Sequence, residues 1–137
     1  MPKIRSAGGI IYNKGKYLLL HYDAGHWDLP KGMIEPGETE LKCARREIGE
    51  ETGIKDVFQV KGFAETESYF FRQEGRTVFK EVTFFLFESG TAEVKLSKEH
   101  KGFAWLNFHE AMSRLTYPNA KSILRKAHEF LEKAIRE

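Results

Sequence analysis

Two short apolar runs open the chain, and both have the composition of β-strands. Residues 6–12 and 16–22 are rich in Ile, Leu and Tyr, and Asn13-Lys14-Gly15 separates them. Because Asn and Gly tolerate positive φ, this tripeptide favours a tight turn between two strands. Two prolines and two glycines then fall within residues 30–37, which predicts a long loop after the second strand.

The pattern becomes helical at residue 39. Apolar positions recur at i, i+3 and i+7 and form one helix face, at Leu41, Ala44 and Ile48. Thr39 is a preferred N-cap residue, and Gly53 stands where a helix ends in a left-handed conformation. Gly49 lies inside the predicted helix, where glycine costs about 1 kcal/mol relative to alanine. We attribute this glycine to close packing of the helix against a neighbouring strand.

Four more strands and a second helix follow. The strands are predicted at residues 57–66, 68–72, 77–88 and 103–106, and the helix at residues 118–137. Residues 83–87 (TFFLF) are too continuously apolar for a one-sided strand, which indicates a buried central strand. Helices with a mixed sheet predict an α/β (α+β) fold of the sandwich type. No linker or repeat divides the chain, so we predict a single domain over residues 1–137.

Composition narrows the function classes. Apolar residues form 41% of the 137 residues, which supports one domain with a core and excludes disorder as the main state. The formal net charge of +2 indicates no strong nucleic-acid field. The single cysteine, Cys43, excludes an internal disulfide and a zinc site made of thiolates. Without an apolar run of signal-peptide or membrane-spanning length, we expect a soluble, cytoplasmic protein with no membrane partner.

Three carboxylates share one turn of the predicted helix. Glu47, Glu50 and Glu51 are spaced i, i+3 and i+4, so they project from one face. Their mutual repulsion weakens the helix unless positive charge offsets it, and hard divalent cations such as Mg²⁺ and Mn²⁺ prefer oxygen ligands. The pattern therefore indicates a Mg²⁺ or Mn²⁺ site. On spacing alone, a solvated acidic helix face is an equally good interpretation.

Glycine, arginine and glutamate positions around this turn form a longer motif. Residues 32–54 read Gly-x5-Glu-x7-Arg-Glu-Ile-x-Glu-Glu-x-Gly-Ile, which resembles the Nudix box of the Nudix hydrolases at every defining position. The resemblance implies a Nudix-type α/β/α sandwich with a mixed sheet between helices. It also implies metal-dependent hydrolysis of a nucleoside diphosphate linked to another moiety.

Family analogy assigns roles to individual residues. The implied metal ligands are the carbonyl oxygen of one glycine and four glutamates, namely Gly32, Glu47, Glu50, Glu51 and Glu99. Arg46 and Glu38 are implied to orient these ligands. Either Glu47 or Glu99 is the expected general base, and the sequence does not order the two. In the resembling subfamily a histidine often precedes the downstream glutamate, whereas Lys98 stands here.

Residues outside the box bear on the substrate. The segments 26–32 (HWDLPKG) and 96–106 (LSKEHKGFAWL) resemble the asymmetrically cleaving diadenosine tetraphosphate hydrolases, in a similarity that covers nearly the whole chain. The analogy implies adenine stacking on Tyr69 and Tyr117, a type of contact worth about 1–3 kcal/mol per base. Four further side chains are candidates for phosphate contacts, because they lie near the metal site or on or near the strand that follows Tyr69: His26, Lys31, Arg76 and Lys80. Each is alternatively a core or surface residue, and we expect Trp27 to be a core residue rather than a ligand.

The expected activity is cleavage of diadenosine tetraphosphate into ATP and AMP, so the expected partner is a small dinucleoside polyphosphate or another nucleotide. One alternative is another Nudix activity, such as RNA 5′ pyrophosphate removal or cleavage of ADP-ribose or nucleoside triphosphates. A second is a Nudix-fold nucleotide-binding module without catalysis, although such proteins usually lose box carboxylates that this sequence keeps. The number of metal ions and the oligomeric state do not follow from the sequence.

Overall fold

The computed structural model describes residues 2–136, which form seven strands and three helices. In chain order these elements are β1 (Lys3–Asn13), β2 (Lys16–Tyr22), β3 (Trp27–Asp28), β4 (Lys31–Met33), α1 (Glu40–Thr52), β5 (Val57–Gln73), β6 (Arg76–Ser89), β7 (His100–Leu106), α2 (Phe108–Arg114) and α3 (Pro118–Arg136). The strands form one sheet in the order β3-β2-β1-β6-β5, with β4 paired to β1 and β7 paired to β2. Because β1 and β6 are parallel while the other pairs are antiparallel, the sheet is mixed as predicted.

The sheet buries apolar side chains on both faces. Neighbouring residues of a strand enter different clusters, as Ile10 and Ile11 do on β1 and Leu86 and Phe87 do on β6. One cluster packs against α2 and α3, and the other packs against α1. A sheet covered on both faces explains why residues 83–87 are continuously apolar, and the predicted central strand is confirmed.

Helix α1 has the predicted ends. The backbone N–H of Lys42 donates to the Thr39 hydroxyl (3.1 Å), and Gly53 ends the helix at φ 72°. The explanation offered for Gly49 was wrong, since no atom outside its own helical turn lies within 4 Å of where its Cβ would stand. The close approach between helix and strand occurs at a glycine of the strand instead. A Cβ at Gly9 of β1 would lie 2.7 Å from Cδ1 of Ile48.

The long strand β5 corrects the prediction of two strands at residues 57–66 and 68–72. It is continuous, and Glu67 pairs with Val82 inside the ladder. The polar run at residues 65–68 resembles a break, but its side chains alternate between half-buried and exposed positions, as expected of a strand at the sheet edge. The irregularity lies earlier, between Gln59 and Ala64, where Gly62 adopts φ 97°.

Three short features escaped the sequence analysis. The predicted loop at residues 30–37 contains β4, and β3 precedes it; strands of two and three residues are too short to show a period. Helix α2 was not predicted, although Asn107 caps it through a bond from the Glu110 N–H (2.8 Å). Strand β7 begins at His100 rather than at residue 103.

Helix α3 packs one apolar face on the sheet. Ile123, Leu124 and Ala127 are fully buried at helical spacing, whereas Ala134 is exposed. The predicted last residue, Glu137, lies outside the described part of the chain. Within residues 2–136, no helix has both the length and the apolarity that crossing a membrane requires.

Candidate active site

Gly32 and Glu47 lie in direct contact. Strand β4 pairs with β1 through Ala7 and Gly32, which brings the glycine beside α1. A Cβ atom at this position would overlap the Glu47 carboxylate, so no side chain fits there. The Gly32 carbonyl faces the same region and accepts a weak hydrogen bond from the Cys43 thiol (3.5 Å). The first and the central positions of the motif therefore meet in space.

Arg46 joins the loop before α1 to the helix itself. Its Nε donates to Glu38 Oε2 (2.7 Å) and one terminal nitrogen donates to Glu38 Oε1 (3.0 Å), a bidentate arrangement. The same nitrogen also donates to the Met33 carbonyl (3.0 Å). Hydrogen bonding by Arg46 lowers the pKa of Glu38 to about 2. Glu38 thus buttresses Arg46, in the geometry that an orienting pair requires.

The other terminal nitrogen of Arg46 reaches two of the helix carboxylates. It donates to Glu47 Oε1 at 2.8 Å and lies 3.3 Å from Glu50 Oε2. The Glu47 side chain is 14% exposed, whereas that of Glu50 is 58% exposed. Desolvation by burial raises the pKa of Glu47 despite the bond from Arg46. One guanidinium therefore offsets part of the repulsion between these carboxylates.

Glu47, Glu50 and Glu51 share one turn of α1, here called the carboxylate turn, and Glu51 is its buried member. Its Oε1 accepts from the Lys31 backbone N–H (3.0 Å), and its Oε2 lies 3.5 Å from both the Tyr22 hydroxyl and His100 Nε2. Burial raises the pKa of Glu51 to about 8, and the negative charges of Glu47 and Glu99 add to this effect. A carboxylate in this setting is ionised readily only when positive charge is brought close to it.

Glu99 approaches the turn from a different part of the chain. It precedes β7, and its backbone carbonyl accepts from the Asp23 N–H (3.2 Å). Its charge raises the pKa of both Glu47 and Glu51, which places it electrostatically within the same cluster. The neighbouring Ser97 bonds to His100 Nδ1 (2.9 Å), and its N–H donates to the Glu51 carbonyl (3.3 Å). These bonds tie the Glu99 loop to the end of α1.

The donor atoms here fit a hard divalent cation by their chemistry, because they are carboxylate oxygens beside a glycine carbonyl. The Cys43 thiol is unsuited as a ligand, since burial raises its pKa to about 11. In the described chain, however, no three His, Cys, Asp or Glu side chains converge closely enough to hold an ion. Arg46 holds Glu47 and Glu50 on one side, while Lys31 and Tyr22 hold Glu51 on another. Metal binding would require these side chains to turn towards one another.

A cleft of about 590 Å³ adjoins the carboxylate cluster and includes Gly32 in its wall. Five of the six candidate substrate residues line it: His26, Lys31, Tyr69, Lys80 and Tyr117. Arg76 lies apart, exposed at the first residue of β6, where it pairs with Gln73. The fold therefore collects side chains from β4, β5, β6 and the start of α3 in one concavity.

The two lysines of the cleft differ in their electrostatics. Lys31 Nζ pairs with Asp28 Oδ2 at 2.9 Å, in a largely buried position. Burial acts to lower the pKa of Lys31, but the charge and hydrogen bond of Asp28 outweigh it and the net pKa is raised. Burial and the charge of Lys31 together lower the pKa of Lys80. An anionic ligand beside Lys80 would offset that repulsion.

Three rings in the cleft wall, those of Tyr22, His26 and Tyr117, contact one another. The His26 ring stacks on the Tyr22 ring, with centroids 4.6 Å apart. The His26 ring also contacts the Tyr117 ring, with centroids 5.5 Å apart. Trp27 does not line the cleft; it stacks on His21 at 4.3 Å and packs against the core, as predicted. Tyr117 is 48% exposed, which leaves its ring available to a ligand.

Several lining residues were missed by the sequence analysis. Tyr69 and Lys80 pair across β5 and β6, and alternate residues face the same cleft on both sides of Tyr69 and after Lys80. The period of two, counted from these two residues, would have found four of them: Glu67, Phe71, Val82 and Phe84. Asp28 could also have been found from the sequence, because it stands only three residues before Lys31. Ser6 and Asn119 had no comparable signal, since their place depends on strand pairing and helix docking.

Comparison with known proteins places this geometry in a family. The family model for the NUDIX domain matches residues 2–127. The chain belongs to the Nudix family. It is 36% identical over 122 residues to the asymmetrical bis(5′-nucleosyl)-tetraphosphatase of Mus musculus, covering 85% of this chain and 80% of that protein. The Caenorhabditis elegans protein of the same name is 35% identical over 136 residues, covering 93% and 96%.

A solved structure agrees with these relatives. The binary complex of the C. elegans Ap4A hydrolase superimposes with a TM-score of 0.83 at 32% identity, covering 95% of this chain and 98% of that one. The mixed sheet with helices on both faces is thus the Nudix fold, as predicted. The protein is a Nudix hydrolase, a pyrophosphohydrolase similar to the Ap4A hydrolases. Enzymes of this family generally use divalent metal ions.

Proposed function

We propose that this Nudix hydrolase cleaves diadenosine tetraphosphate asymmetrically into ATP and AMP. One observation carries the proposal: Gly32 contacts the Glu47 carboxylate and also lines the cleft that holds Lys31, Lys80 and Tyr69. A phosphate chain entering from the cleft would therefore reach the carboxylate turn directly. The similarity to proteins named as tetraphosphatases supports the same substrate.

The proposed metal ligands are the Gly32 carbonyl and the carboxylates of Glu47, Glu50, Glu51 and Glu99. A bound Mg²⁺ or Mn²⁺ would neutralise phosphate charge and lower the pKa of a bound water. Arg46 holds two of the carboxylates by hydrogen bonds, and Glu38 holds Arg46. The chain's own contribution is therefore a set of oxygen ligands, two of which the Arg46 guanidinium holds in place.

The remaining cleft residues bind the nucleotide in this proposal. Tyr69 and Tyr117 stack against adenine, in contacts worth about 1–3 kcal/mol each. Lys31, Lys80 and His26 contact phosphates beyond the cleaved bond. Lys80 suits this role because burial and Lys31 already disfavour its charged form, which a phosphate would stabilise. Arg76 lies outside the cleft and has no part in the proposal.

Two carboxylates qualify as the proton acceptor. Glu47 is held by Arg46 at 2.8 Å, whereas no side-chain hydrogen bond to the Glu99 carboxylate occurs in the described chain. Rates measured at saturating metal for Glu47→Gln and Glu99→Gln separate the two. When these rates are followed across pH, the variant of the true base loses the fall in rate at acidic pH, whereas the variant that has lost only a metal ligand keeps it.

Substrate profiling tests the proposal. Purified protein with Mg²⁺ is compared on diadenosine tetraphosphate, ADP-ribose, deoxynucleoside triphosphates and 5′-triphosphorylated RNA, with products separated by ion-exchange chromatography. ATP and AMP in equal amounts, at the highest kcat/KM of the panel, are expected. Faster turnover of another substrate would contradict the substrate assignment.

A matched pair of variants tests the catalytic turn. Glu50→Gln is expected to lower kcat at least about 100-fold without changing the melting temperature measured in EDTA, because it removes a solvent-facing metal ligand. Glu129→Gln, an exposed glutamate on α3, is the control and keeps full activity. Equal activity of both variants would remove the carboxylate turn from the mechanism.

A further inference from the structure

One buried hydroxyl of the cleft has no hydrogen-bond partner. Among residues 2–136, two buried side-chain polar atoms are unpaired, Ser6 Oγ and His100 Nε2. His100 faces Glu51 and belongs to the active site described above. Ser6 is 2% exposed and lines the cleft. An unpaired buried hydroxyl lowers folding stability. Its presence therefore indicates a ligand that forms a hydrogen bond with it.

Strand pairing explains why Ser6 finds no partner within the protein. It lies opposite Met33 on β4 and opposite Val82 on β6, and Val82 in turn lies opposite Glu67 on β5. All four residues line the cleft and form a row across its sheet wall, here called the wall row. Both direct neighbours of Ser6 in the wall row are apolar. The two residues paired with Ser6 across the strands therefore offer its hydroxyl no hydrogen-bonding side chain.

Three other polar side chains of the cleft are already engaged. Lys31 pairs with Asp28 at 2.9 Å, and the Tyr22 hydroxyl lies 3.5 Å from Glu51. Glu67 Oε1 lies 4.0 Å from Lys126 Nζ. Ser6 differs from them because it is both buried and unpaired.

We infer that the Ser6 hydroxyl donates a hydrogen bond to a ring nitrogen of a purine base bound in this cleft and thereby determines base specificity. The inference rests on the proposed function, since it assumes that the cleft takes the base of a nucleotide. Aromatic and aliphatic lining at Phe71, Val82 and Phe84 accepts the flat faces of a base. A serine hydroxyl turns about a single side-chain torsion, so it can meet an acceptor that enters the cleft.

This role predicts selectivity for purines over pyrimidines. A site that hydrogen-bonds a substrate atom rejects an analogue that leaves the buried group unpaired. A pyrimidine is smaller than a purine and, held by the same phosphate contacts, leaves the Ser6 hydroxyl without its partner. Loss of one such bond corresponds to about a tenfold change in affinity.

The test compares two serine-to-alanine variants of the full chain. Ser6→Ala removes an unpaired hydroxyl, whereas Ser89→Ala removes an equally buried one that donates to the Thr91 carbonyl (2.6 Å) and lies outside the cleft. Calorimetric titration with AMP and with UMP measures binding without catalysis. Thermal unfolding measures stability, and kinetics with diadenosine and diuridine tetraphosphate separate KM from kcat.

Ser6→Ala is expected to weaken AMP binding about tenfold, to leave UMP binding unchanged and to raise KM rather than lower kcat. Its melting temperature is expected to equal or exceed that of the wild type, while Ser89→Ala melts lower and binds AMP normally. Wild-type affinity for AMP in Ser6→Ala overturns the inference, as does an absence of AMP binding to the wild type. A melting temperature as low as that of Ser89→Ala also overturns it, because the hydroxyl would then be paired internally.

The outcome is separable from that of the proposed function. If the wild type hydrolyses no dinucleoside tetraphosphate but AMP binding still falls in Ser6→Ala, the proposed function fails and the Ser6 contact stands. If hydrolysis occurs and Ser6→Ala binds AMP as the wild type does, only the Ser6 contact fails.

Discussion

Neighbouring residues limit which side chain can occupy individual positions of this site, through the space and the hydrogen bonds that they provide. Gly32 is required because the Glu47 carboxylate lies where its Cβ would be. Glu51 is buried at 5% exposure and bonded to the Lys31 backbone, so its position is set by contacts outside its own helix. At the residue scale, the motif is a set of steric and hydrogen-bond requirements that meet around a few oxygen atoms.

Gly32→Ala is therefore expected to displace the Glu47 carboxylate and to lower kcat about 100-fold, since small misplacements at a reacting centre cost rates of that order. Circular dichroism and steady-state kinetics with Mg²⁺ check the fold and the rate. The matched control is Gly49→Ala, whose new methyl group meets no atom within 4 Å. Full activity in Gly32→Ala would show that the contact has no catalytic consequence.

Helix α1 is the element that carries the chemistry, and its ends are built by local interactions. The Thr39 hydroxyl caps the first turn, and Gly53 closes the last one with an N–H bond to the Gly49 carbonyl (2.9 Å). Between them the helix buries Ala44 and Ile48 against the sheet and turns its carboxylates towards β4 and the Glu99 loop. The loop before the helix is tied to it through Glu38 and Arg46.

Two substitutions in α1 are expected to change stability in opposite directions. Gly49→Ala should raise the free energy of unfolding by about 0.5–1 kcal/mol, because it removes backbone freedom from the unfolded chain without a clash. Thr39→Ala should lower it by about 1 kcal/mol through loss of the cap. Urea denaturation measures both. A destabilised Gly49→Ala would mean that the added methyl group disturbs packing.

The Glu38–Arg46 bond predicts a stability loss in acid. The folded pKa of Glu38 is about 2, below its ordinary value of 4.5, so its contribution is complete above about pH 5 and is lost as the pH falls towards 2. Wild-type protein in EDTA should lose more stability across this range than Glu38→Gln does. Denaturation at pH 6, 4 and 2.5 measures the difference, with Glu129→Gln as the control. Parallel curves for wild type and Glu38→Gln would contradict it.

At the scale of the whole molecule, β1 organises both halves of the site. It pairs with β2, β4 and β6, so it carries Ser6 into the wall of the cleft and places β4 beside α1. Gly9 lets the Ile48 side chain approach this central strand closely. The carboxylate cluster and the cleft are therefore adjacent because they share one strand, although their residues are scattered from position 6 to position 120.

Metal binding should stabilise the entire fold, since a cation held only by the native carboxylate cluster shifts the unfolding equilibrium by mass action. Saturating Mg²⁺ is expected to raise the melting temperature of EDTA-treated protein on the order of 5 °C. Glu51→Gln should abolish most of this shift, whereas Glu129→Gln should keep it. Differential scanning calorimetry gives both values. An equal shift in the two variants would indicate that Mg²⁺ acts elsewhere.

The sequence alone was sufficient for features that depend on neighbours a few residues apart. The spacing of Glu47, Glu50 and Glu51, the cap at Thr39 and the end at Gly53 lie within 15 residues of one another, and helix geometry relates them directly. The apolar run at residues 83–87 likewise indicated a strand covered on both faces. The Nudix family and fold followed from the same local motif.

Tertiary structure decided what depends on residues far apart in the chain. The continuity of β5 through Glu67 follows from its ladder with β6, and polar composition at that point concealed it. Ser6 is a cleft residue only because β1 pairs with β4 and β6, and Arg76 is outside the cleft although Lys80 on the same strand is inside. Local spacing determines which chemistry a helix can present, whereas strand pairing and helix docking determine which side chains surround it.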